Sequence, residues 1–274
     1  MKKLIVRTLT GAAFVAALIG SMLYSNSTFG AMFMLITLLS VNEFCGLIEQ
    51  FKETTFNRWL AIAGGGFLYI ASFFAFHFEI GNVLTLFVPY MAIVAYTFIG
   101  QLYNKSGRTM DNLAYFTLSQ VYAALPFALL NMLAVGENGY SYLLPMAIFI
   151  FIWSNDTGAF CFGCMLGRHK MFERVSPKKT WEGFAGGAFT AVVAGVVMSH
   201  FFDIMNIYQW AGMALTVVAT ATLGDLIESN MKREMKIKDS GNMLPGHGGI
   251  LDRFDSTLLA IPGVIIYLNL IGIL

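Results

Sequence analysis

Nine long apolar segments constrain this chain more than any other feature of its sequence. A helix needs about 20 mostly apolar residues to span a bilayer. Segments of this kind lie at 8–25, 30–50, 59–77, 82–103, 112–135, 142–167, 183–202, 207–229 and 255–274. Only 12% of the residues are charged, roughly half the share found in soluble domains. The sequence therefore predicts an all-α polytopic membrane protein with about nine transmembrane helices.

The lysines and arginines predict its orientation, because cytoplasmic loops carry an excess of them. With a cytoplasmic N-terminus and nine alternating spans, all 17 basic residues fall on the cytoplasmic side. The two long polar loops, 168–182 and 230–254, then face the cytoplasm, and the C-terminus lies outside. The basic, apolar start of the chain lacks a small-residue cleavage site, which favours an uncleaved first helix.

The polar residues divide the chain by function. Residues 1–140 are interpreted as a lipid-facing scaffold of transmembrane helices, and residues 141–274 as the catalytic half. Each of its two long loops carries five lysines or arginines. Such clusters attract anionic head groups or polyphosphates.

Four carboxylates lie at membrane depth, where a charge costs roughly 2.5–3.5 kcal/mol and indicates function. Asp156 is near the middle of the sixth span, and Asp225 and Glu228 are near the cytoplasmic end of the eighth. For Glu43, in the second span, no other polar groups gather. A bond between this buried side chain and a neighbouring helix is the simpler interpretation there.

Two acidic clusters flank the last long loop. Asp225, Glu228, Ser229 and Lys232 share one helix face by their spacing, and Asp252 precedes Asp255 by three residues. Carboxylates beside cations suit Mg²⁺ together with phosphate. The glycines of "PGHGG" would let backbone N–H groups approach phosphate oxygens, although a plain glycine turn is the alternative. His247 could contact phosphate or cap that turn.

The loop "GRHKMFERVSPKKTWEGFAGG" precedes the seventh span. Ser176-Pro177 and Thr180 are candidate helix starts. Lys178 and Lys179 stand just before the N–H groups of the seventh helix, which favour anions. Small residues then recur every four positions and predict close helix packing. They are Gly183, Gly187, Ala191 and Gly195.

Residues 229–255, "SNMKREMKIKDSGNMLPGHGGILDRFD", resemble the signature of the phosphatidate cytidylyltransferase (CDP-diacylglycerol synthase) family. Two further blocks are similar to the same family: "NDTGAF", followed by Gly167-Arg168, and "SPKKTWEG". The resemblance covers residue 140 to the end. It departs at 158–160, "GAF", where relatives often have an Ala-Ala-Tyr-like run, so a requirement for a tyrosine hydroxyl there is open.

The resemblance implies that CTP and phosphatidic acid are joined into CDP-diacylglycerol with release of pyrophosphate, in phospholipid biosynthesis. It implies a bacterial cytoplasmic (inner) membrane location with the active site facing the cytoplasm, and it suggests a homodimer. Mg²⁺ would bridge the nucleotide phosphates, and a second cation is compatible with the site. Membrane lipid is the expected surrounding, and nucleic acid is not an expected partner.

Roles for individual residues follow as hypotheses. The resemblance assigns the metal to the positions of Asp225 and Asp252. Lys232, Arg233 and Lys238 are expected to neutralise phosphates, and Asp239 and Asp255 to orient those cations or the metal. The residues expected to bind or line the substrates are Asp156, Arg168, Lys178, Lys179, His247, Gly248, Gly249 and Arg253. We expect Asp252→Asn to abolish turnover while membrane insertion stays intact.

Two alternatives stay open. A transporter also buries acids among its spans, but paired interrupted helices would be expected in both halves. A CTP-dependent lipid kinase would release CDP and phosphorylate an alcohol. The polar residues concentrate in one half of the chain, which argues against the transporter. The long signature argues against the kinase.

Overall fold

The computed structural model describes residues 2–52, 55–105, 107–137, 139–241 and 248–274, with side chains from residue 10 onward. Its helices are α1 (Lys2–Tyr24), α2 (Asn26–Phe51), α3 (Arg58–His77), α4 (Val83–Leu86), α5 (Val88–Gly100), α6 (Thr109–Leu118), α7 (Leu125–Leu133), α8 (Leu143–Leu166), α9 (Trp181–Ser199), α10 (Ile207–Glu234) and α11 (Leu251–Leu270). A 3-10 turn (Gln101–Tyr103) extends α5, and a π-helical segment (Ser119–Ala124) joins α6 to α7.

Two short antiparallel hairpins complete the described elements: β1 (Val135–Gly136) with β2 (Gly139–Tyr140), and β3 (Lys170–Phe172) with β4 (Ser176–Thr180). Apart from these four short strands, every described element is helical, so the all-α class is confirmed. Each of the nine predicted segments lies on one or more of the helices.

Helix length and apolarity support fewer spans than the sequence predicts. Among the described residues, six helical stretches are long and apolar enough to cross a membrane: α2, α3, Thr109–Leu133, α8, α9 and α10. The apolar parts of α1 and α5 are shorter, at Thr10–Tyr24 and Val88–Tyr103. Charged residues at the start of α11, Asp252 among them, reduce its apolar length.

The chain forms two compact units. The first comprises Met1–Tyr142 and Asp239–Arg253, and the second comprises Leu143–Lys238 and Phe254–Leu274. The predicted division into a scaffold and a catalytic half stays a prediction. In the structure, the end of the second long loop groups with the N-terminal helices.

In the first unit, α2 and α3 pack closely with the π-helical segment because α3 carries glycine at the contact. A Cβ on Gly65 would lie 3.0 Å from Val41 Cγ2 and 3.2 Å from Ala124 Cβ. The π-helical segment ends just before Pro126, whose ring would crowd the carbonyl four residues earlier in a regular helix. The wider turn accommodates that proline.

In the second unit, α8 and α9 approach each other through small residues. A Cβ on Gly187 would lie 2.3 Å from Asn155 Oδ1, and one on Gly183 would lie 2.9 Å from the Ala159 carbonyl oxygen. Gly195 instead faces α10, where a Cβ on Gly195 would lie 3.0 Å from the Trp210 carbonyl oxygen. The small-residue stripe predicted from the sequence is thus confirmed as a packing surface.

Candidate active site

A cavity of about 220 Å³ opens within the second unit. Its walls come from α8, the β3–β4 hairpin, α9, α10 and the start of α11. The lining residues are Asn155, Asp156, Ala159, Phe160, Met171, Lys178, Lys179, Thr180, Gly183, Phe184, Ala221, Thr222, Asp225 and Ser256. The cavity thus brings together four residues that the sequence singled out from three separate motifs: Asp156, Lys178, Lys179 and Asp225.

The two lysines reach the cavity because of how α9 begins. The Thr180 hydroxyl accepts the Gly183 N–H at 3.1 Å and caps the helix. Of the two predicted helix starts, Thr180 is thus confirmed, whereas Ser176-Pro177 is wrong because both residues lie in β4. β4 therefore ends directly at the helix N-terminus, with Lys178 and Lys179 on its last residues. Lys178 is exposed and Lys179 is half-buried.

Lys179 and Asp225 form an ion pair inside this cavity, with Lys179 Nζ 2.7 Å from Asp225 Oδ2. The other carboxylate oxygen of Asp225 accepts the Ser229 hydroxyl at 3.0 Å, one helical turn along α10. Both partners are hydrogen-bond donors, so they fix the orientation of the Asp225 carboxylate. A lysine from the first long loop and an aspartate of α10 are thereby joined.

Two further carboxylates lie on helices that line this cavity. Asp156 of α8 is itself a lining residue, and Asp255 of α11 directly precedes Ser256, another lining residue. Together with Asp225 and the two lysines of β4, they combine acids and lysines in one place, an arrangement that suits both a cation and phosphate groups.

Lys232 has a partner within its own helix. Its Nζ lies 3.1 Å from Glu228 Oε1, and the two side chains are only 10% and 4% exposed. Removing one partner of such a buried pair strongly destabilises the folded protein, because the other charge is left buried and unpaired. The predicted role of Lys232 in neutralising phosphate stays a prediction, and substrate would have to compete with Glu228 for it.

In the first unit, the Asp252 carboxylate holds together the backbone at Ser240 and the backbone at Gly249. Its Oδ2 accepts the Ser240 N–H at 2.8 Å and the Gly249 N–H at 2.9 Å. Phosphate binding by the Gly249 N–H would therefore compete with an existing bond. Gly248 has φ +83°, a left-handed conformation that favours glycine.

The remaining predicted site residues are spread over both units. Arg233 is exposed and its Nη1 donates to the Ile237 carbonyl at 2.8 Å. Also exposed are Arg168 and Lys238 in the second unit and Asp239 and Arg253 in the first. His247 lies outside the described residues. Since Asp225 and Asp252 belong to different units, their shared metal stays a prediction.

Glu43 is bonded to a neighbouring helix, which confirms the simpler interpretation of its sequence, since Leu251 is the first residue of α11. The sequence does not predict which segments it binds. Both of its carboxylate oxygens accept hydrogen bonds from the segment that contains Ser240, Ile250 and Leu251. These partners are 197 to 208 residues away in the chain. A buried acid in an apolar helix was the only available signal, because local spacing cannot reveal so distant a partner.

The donor chemistry fits Mg²⁺. No group of three or more His, Cys, Asp or Glu side chains arranged for a metal occurs in the part of the chain that the structure describes. Mg²⁺ does not need one, because it commonly takes one or two carboxylates and fills its other positions with water and substrate phosphate. Asp225, with Asp156 lining the same cavity, offers the hard oxygen ligands that this requires.

The fold and the site together define a polytopic helical protein with acids and lysines around one cavity. The profile of the cytidylyltransferase family matches residues 5–271, and the chain belongs to this family. It is similar to the phosphatidate cytidylyltransferase of Staphylococcus aureus strain COL, with 38% identity over 175 residues, 62% of this chain and 66% of the relative.

Two other staphylococcal relatives with the same name give the same level of similarity. The chain is 38% identical over 176 residues to that of Staphylococcus haemolyticus strain JCSC1435, covering 62% of this chain and 66% of the relative. It is 39% identical over 176 residues to that of Staphylococcus epidermidis strain ATCC 35984, covering 62% and 65%. The matched part thus spans just under two thirds of the length of these relatives.

Proposed function

We propose that this protein transfers the cytidylyl group of CTP to phosphatidic acid, forming CDP-diacylglycerol and pyrophosphate. Membership of the cytidylyltransferase family and the names of the staphylococcal relatives support this reaction. The observation that carries it is the Lys179–Asp225 pair at 2.7 Å in a cavity that Asp156 and Lys178 also line. Such a site can bind a phosphate-bearing lipid and a nucleoside triphosphate.

The reaction needs positioning and charge stabilisation more than it needs a base. A phosphate oxygen of phosphatidic acid attacks the α-phosphorus of CTP, and the bond to the β-phosphate oxygen breaks. The phosphate monoester is already a nucleophile, so no Ser–His or Cys–His pair is required. In phosphoryl transfer the protein acts mainly by orientation and by electrostatics.

The residues of the cavity divide this work. Lys178 and Lys179 neutralise phosphate charge, and Lys179 exchanges its contact with Asp225 for one with substrate. Asp225 would hold Mg²⁺, with Asp252 as its predicted second ligand. Asp156 lines the cavity, and Asp255 is expected to orient the cations or the metal. When bound, the metal would supply positive charge to the nucleotide phosphates.

We place the protein in the bacterial cytoplasmic (inner) membrane with nine spans and a cytoplasmic N-terminus. The distribution of all 17 basic residues supports this arrangement. The cavity then receives CTP from the cytoplasm, while phosphatidic acid stays in the bilayer with its phosphate at the interface. A homodimer stays a prediction.

The test uses purified protein in detergent with phosphatidic acid, Mg²⁺ and α-³²P-labelled CTP. We expect label in the organic phase, dependent on phosphatidic acid and abolished by EDTA. If no label appears, γ-³²P-labelled CTP with lipid alcohols is the next assay. Transfer of the γ-label would replace the proposed reaction with a lipid kinase, and the absence of both would reopen a transport function.

A further inference from the structure

The Glu43 carboxylate binds both Ser240 and the start of α11 in the first unit. Its Oε1 accepts from the Ser240 hydroxyl and, at 3.1 Å, from the Leu251 N–H, while Oε2 accepts the Ile250 N–H at 2.8 Å. Only 9% of Glu43 is exposed. A buried carboxylate is costly unless it is fully hydrogen-bonded, and these three donors provide that.

The start of α11 explains why an acid from α2 is needed. The first N–H groups of a helix have no acceptor inside it, and a Ser, Thr, Asp or Asn usually supplies one. Here Gly249 and Ile250 precede Leu251, and neither has an oxygen in its side chain. Because Ile250 and Leu251 are 4% and 1% exposed, water is a poor substitute for Glu43. Its negative charge also suits the positive end of the helix.

Positions 248 and 249 require glycine because the carboxylates of Asp252 and Glu43 occupy the space that a Cβ would fill. A Cβ on Gly249 would lie within 1.9 Å of Glu43 Oε1 and 2.3 Å of Ser240 Oγ. A Cβ on Gly248 would lie 2.7 Å from Asp252 Oδ2. Glu43 and Asp252 thus bind the same short stretch of backbone, and displacement of one disturbs the other.

We propose that Glu43 is a positioning residue for cytidylyl transfer: by holding Ser240, Ile250 and Leu251, it fixes Asp252 and Arg253 in their reactive arrangement. The inference rests on the proposed function and deepens it. Glu43 touches backbone and a serine hydroxyl and acts on substrate only through the segment it holds. A displacement of about 1 Å in such a segment can cost about 100-fold in rate.

A graded series of variants tests this role. Ser240→Ala removes one hydroxyl donor and leaves both backbone bonds. Glu43→Gln leaves one backbone N–H without an acceptor whichever way the amide turns, and Glu43→Ala removes every acceptor. Glu49→Gln is the matched control, because Glu49 lies on the same helix, is 39% exposed in its side chain and pairs with Arg58 at 3.1 Å.

Three quantities are measured for each variant in detergent: kcat and KM for CTP, hydrogen exchange at the amides of Ile250 and Leu251, and the melting temperature. We expect kcat to fall progressively from Ser240→Ala to Glu43→Gln to Glu43→Ala, by about 10- to 100-fold in the last. Exchange at the two amides should rise in the same order. Glu49→Gln should match the wild type in kcat and exchange.

Two results would overturn the inference. One is wild-type kcat or wild-type exchange in Glu43→Ala. The other is a Glu43→Gln variant as inactive as Glu43→Ala while the amides stay protected, because the charge would then act on the chemistry itself. Ser240→Ala, the mildest change, keeps the test decisive if Glu43→Ala does not fold. A wild-type protein that makes no CDP-diacylglycerol would refute the proposed function, whereas exchange unaffected by Glu43→Ala refutes the inference alone.

Discussion

At the scale of single residues, the described site is organised by carboxylates that each bind more than one partner. Asp225 accepts from both Lys179 and Ser229, and Asp252 accepts two backbone N–H groups. The acids can therefore serve structure and cation binding at once, and the effect of a substitution depends on which partner it removes.

Asp225→Asn tests the role of charge in the cavity. The amide keeps the size of the side chain but neither pairs with Lys179 nor binds Mg²⁺ well. We expect kcat to fall about 100-fold or more, since even the outer partners of metal ligands typically contribute 10- to 100-fold. The Mg²⁺ concentration for half-maximal rate should also rise, and steady-state assays over a Mg²⁺ series measure both.

Ser229→Ala is the control for that variant. It removes only the 3.0 Å bond to Asp225 Oδ1, which is expected to contribute about 1 kcal/mol, or less than tenfold in rate. Wild-type turnover in Asp225→Asn would remove Asp225 from the proposed mechanism.

At the scale of helices and their ends, glycine decides how closely elements approach. Gly158 of α8 shows this most clearly, because a Cβ there would lie 2.1 Å from Thr190 Oγ1 and 2.8 Å from the Gly186 carbonyl. The carbonyl belongs to the backbone and cannot rotate away. The helices α8 and α9 form two walls of the cavity. Their close contact therefore requires glycine at position 158.

Gly158→Ala is expected to destabilise the protein by about 1–3 kcal/mol through overpacking. Thermal unfolding in detergent measures the effect as a lower melting temperature. Gly20→Ala in α1 is the control, since nothing lies within 4 Å of its built Cβ and alanine is the better helix former. Equal melting temperatures for the two variants would contradict the close packing.

The end of α10 gives a second prediction at this scale. The N–H of Ile237 binds the Lys232 carbonyl at 2.9 Å and that of Lys236 binds the Arg233 carbonyl at 3.0 Å, the two bonds of a Schellman cap. The cap places Lys236 at φ +57°, a conformation usually taken by glycine. Lys236→Gly should stabilise the protein by up to about 1 kcal/mol.

Lys236→Ala separates this backbone effect from the loss of charge. Alanine removes the ammonium group but keeps the Cβ, so we expect no gain in melting temperature. If alanine stabilises as much as glycine, the left-handed conformation is not the cause.

At the scale of the whole molecule, the orientation in the membrane follows from the basic residues. We expect Gly81→Cys, in a background without native cysteines, to react with a membrane-impermeant maleimide from the outside. Lys170→Cys, exposed in β3, should react only after the membrane is opened. Three predicted spans separate the two positions, so labelling from the same side would contradict the proposed topology.

The sequence alone was sufficient for the class of protein and for the location of its polar groups. Apolar length predicts membrane helices because the bilayer imposes it, and the four-residue spacing of small residues predicts the α9 packing surface because helical periodicity is local. The same reasoning selected Asp156, Lys178, Lys179 and Asp225, four residues that the second unit does bring to one cavity.

Only the tertiary structure decided which of these groups meet. The pairs Lys179–Asp225 and Glu43–Leu251 join residues 46 and 208 positions apart. The Lys232–Glu228 pair, by contrast, lies on one helix face that the sequence spacing already indicates. Composition and periodicity report on which face of an element a residue lies, whereas a partner on another element is set by how the helices pack. Glu43, with no other charged residue within five positions of it in the sequence, therefore acquired its role only when the chain folded.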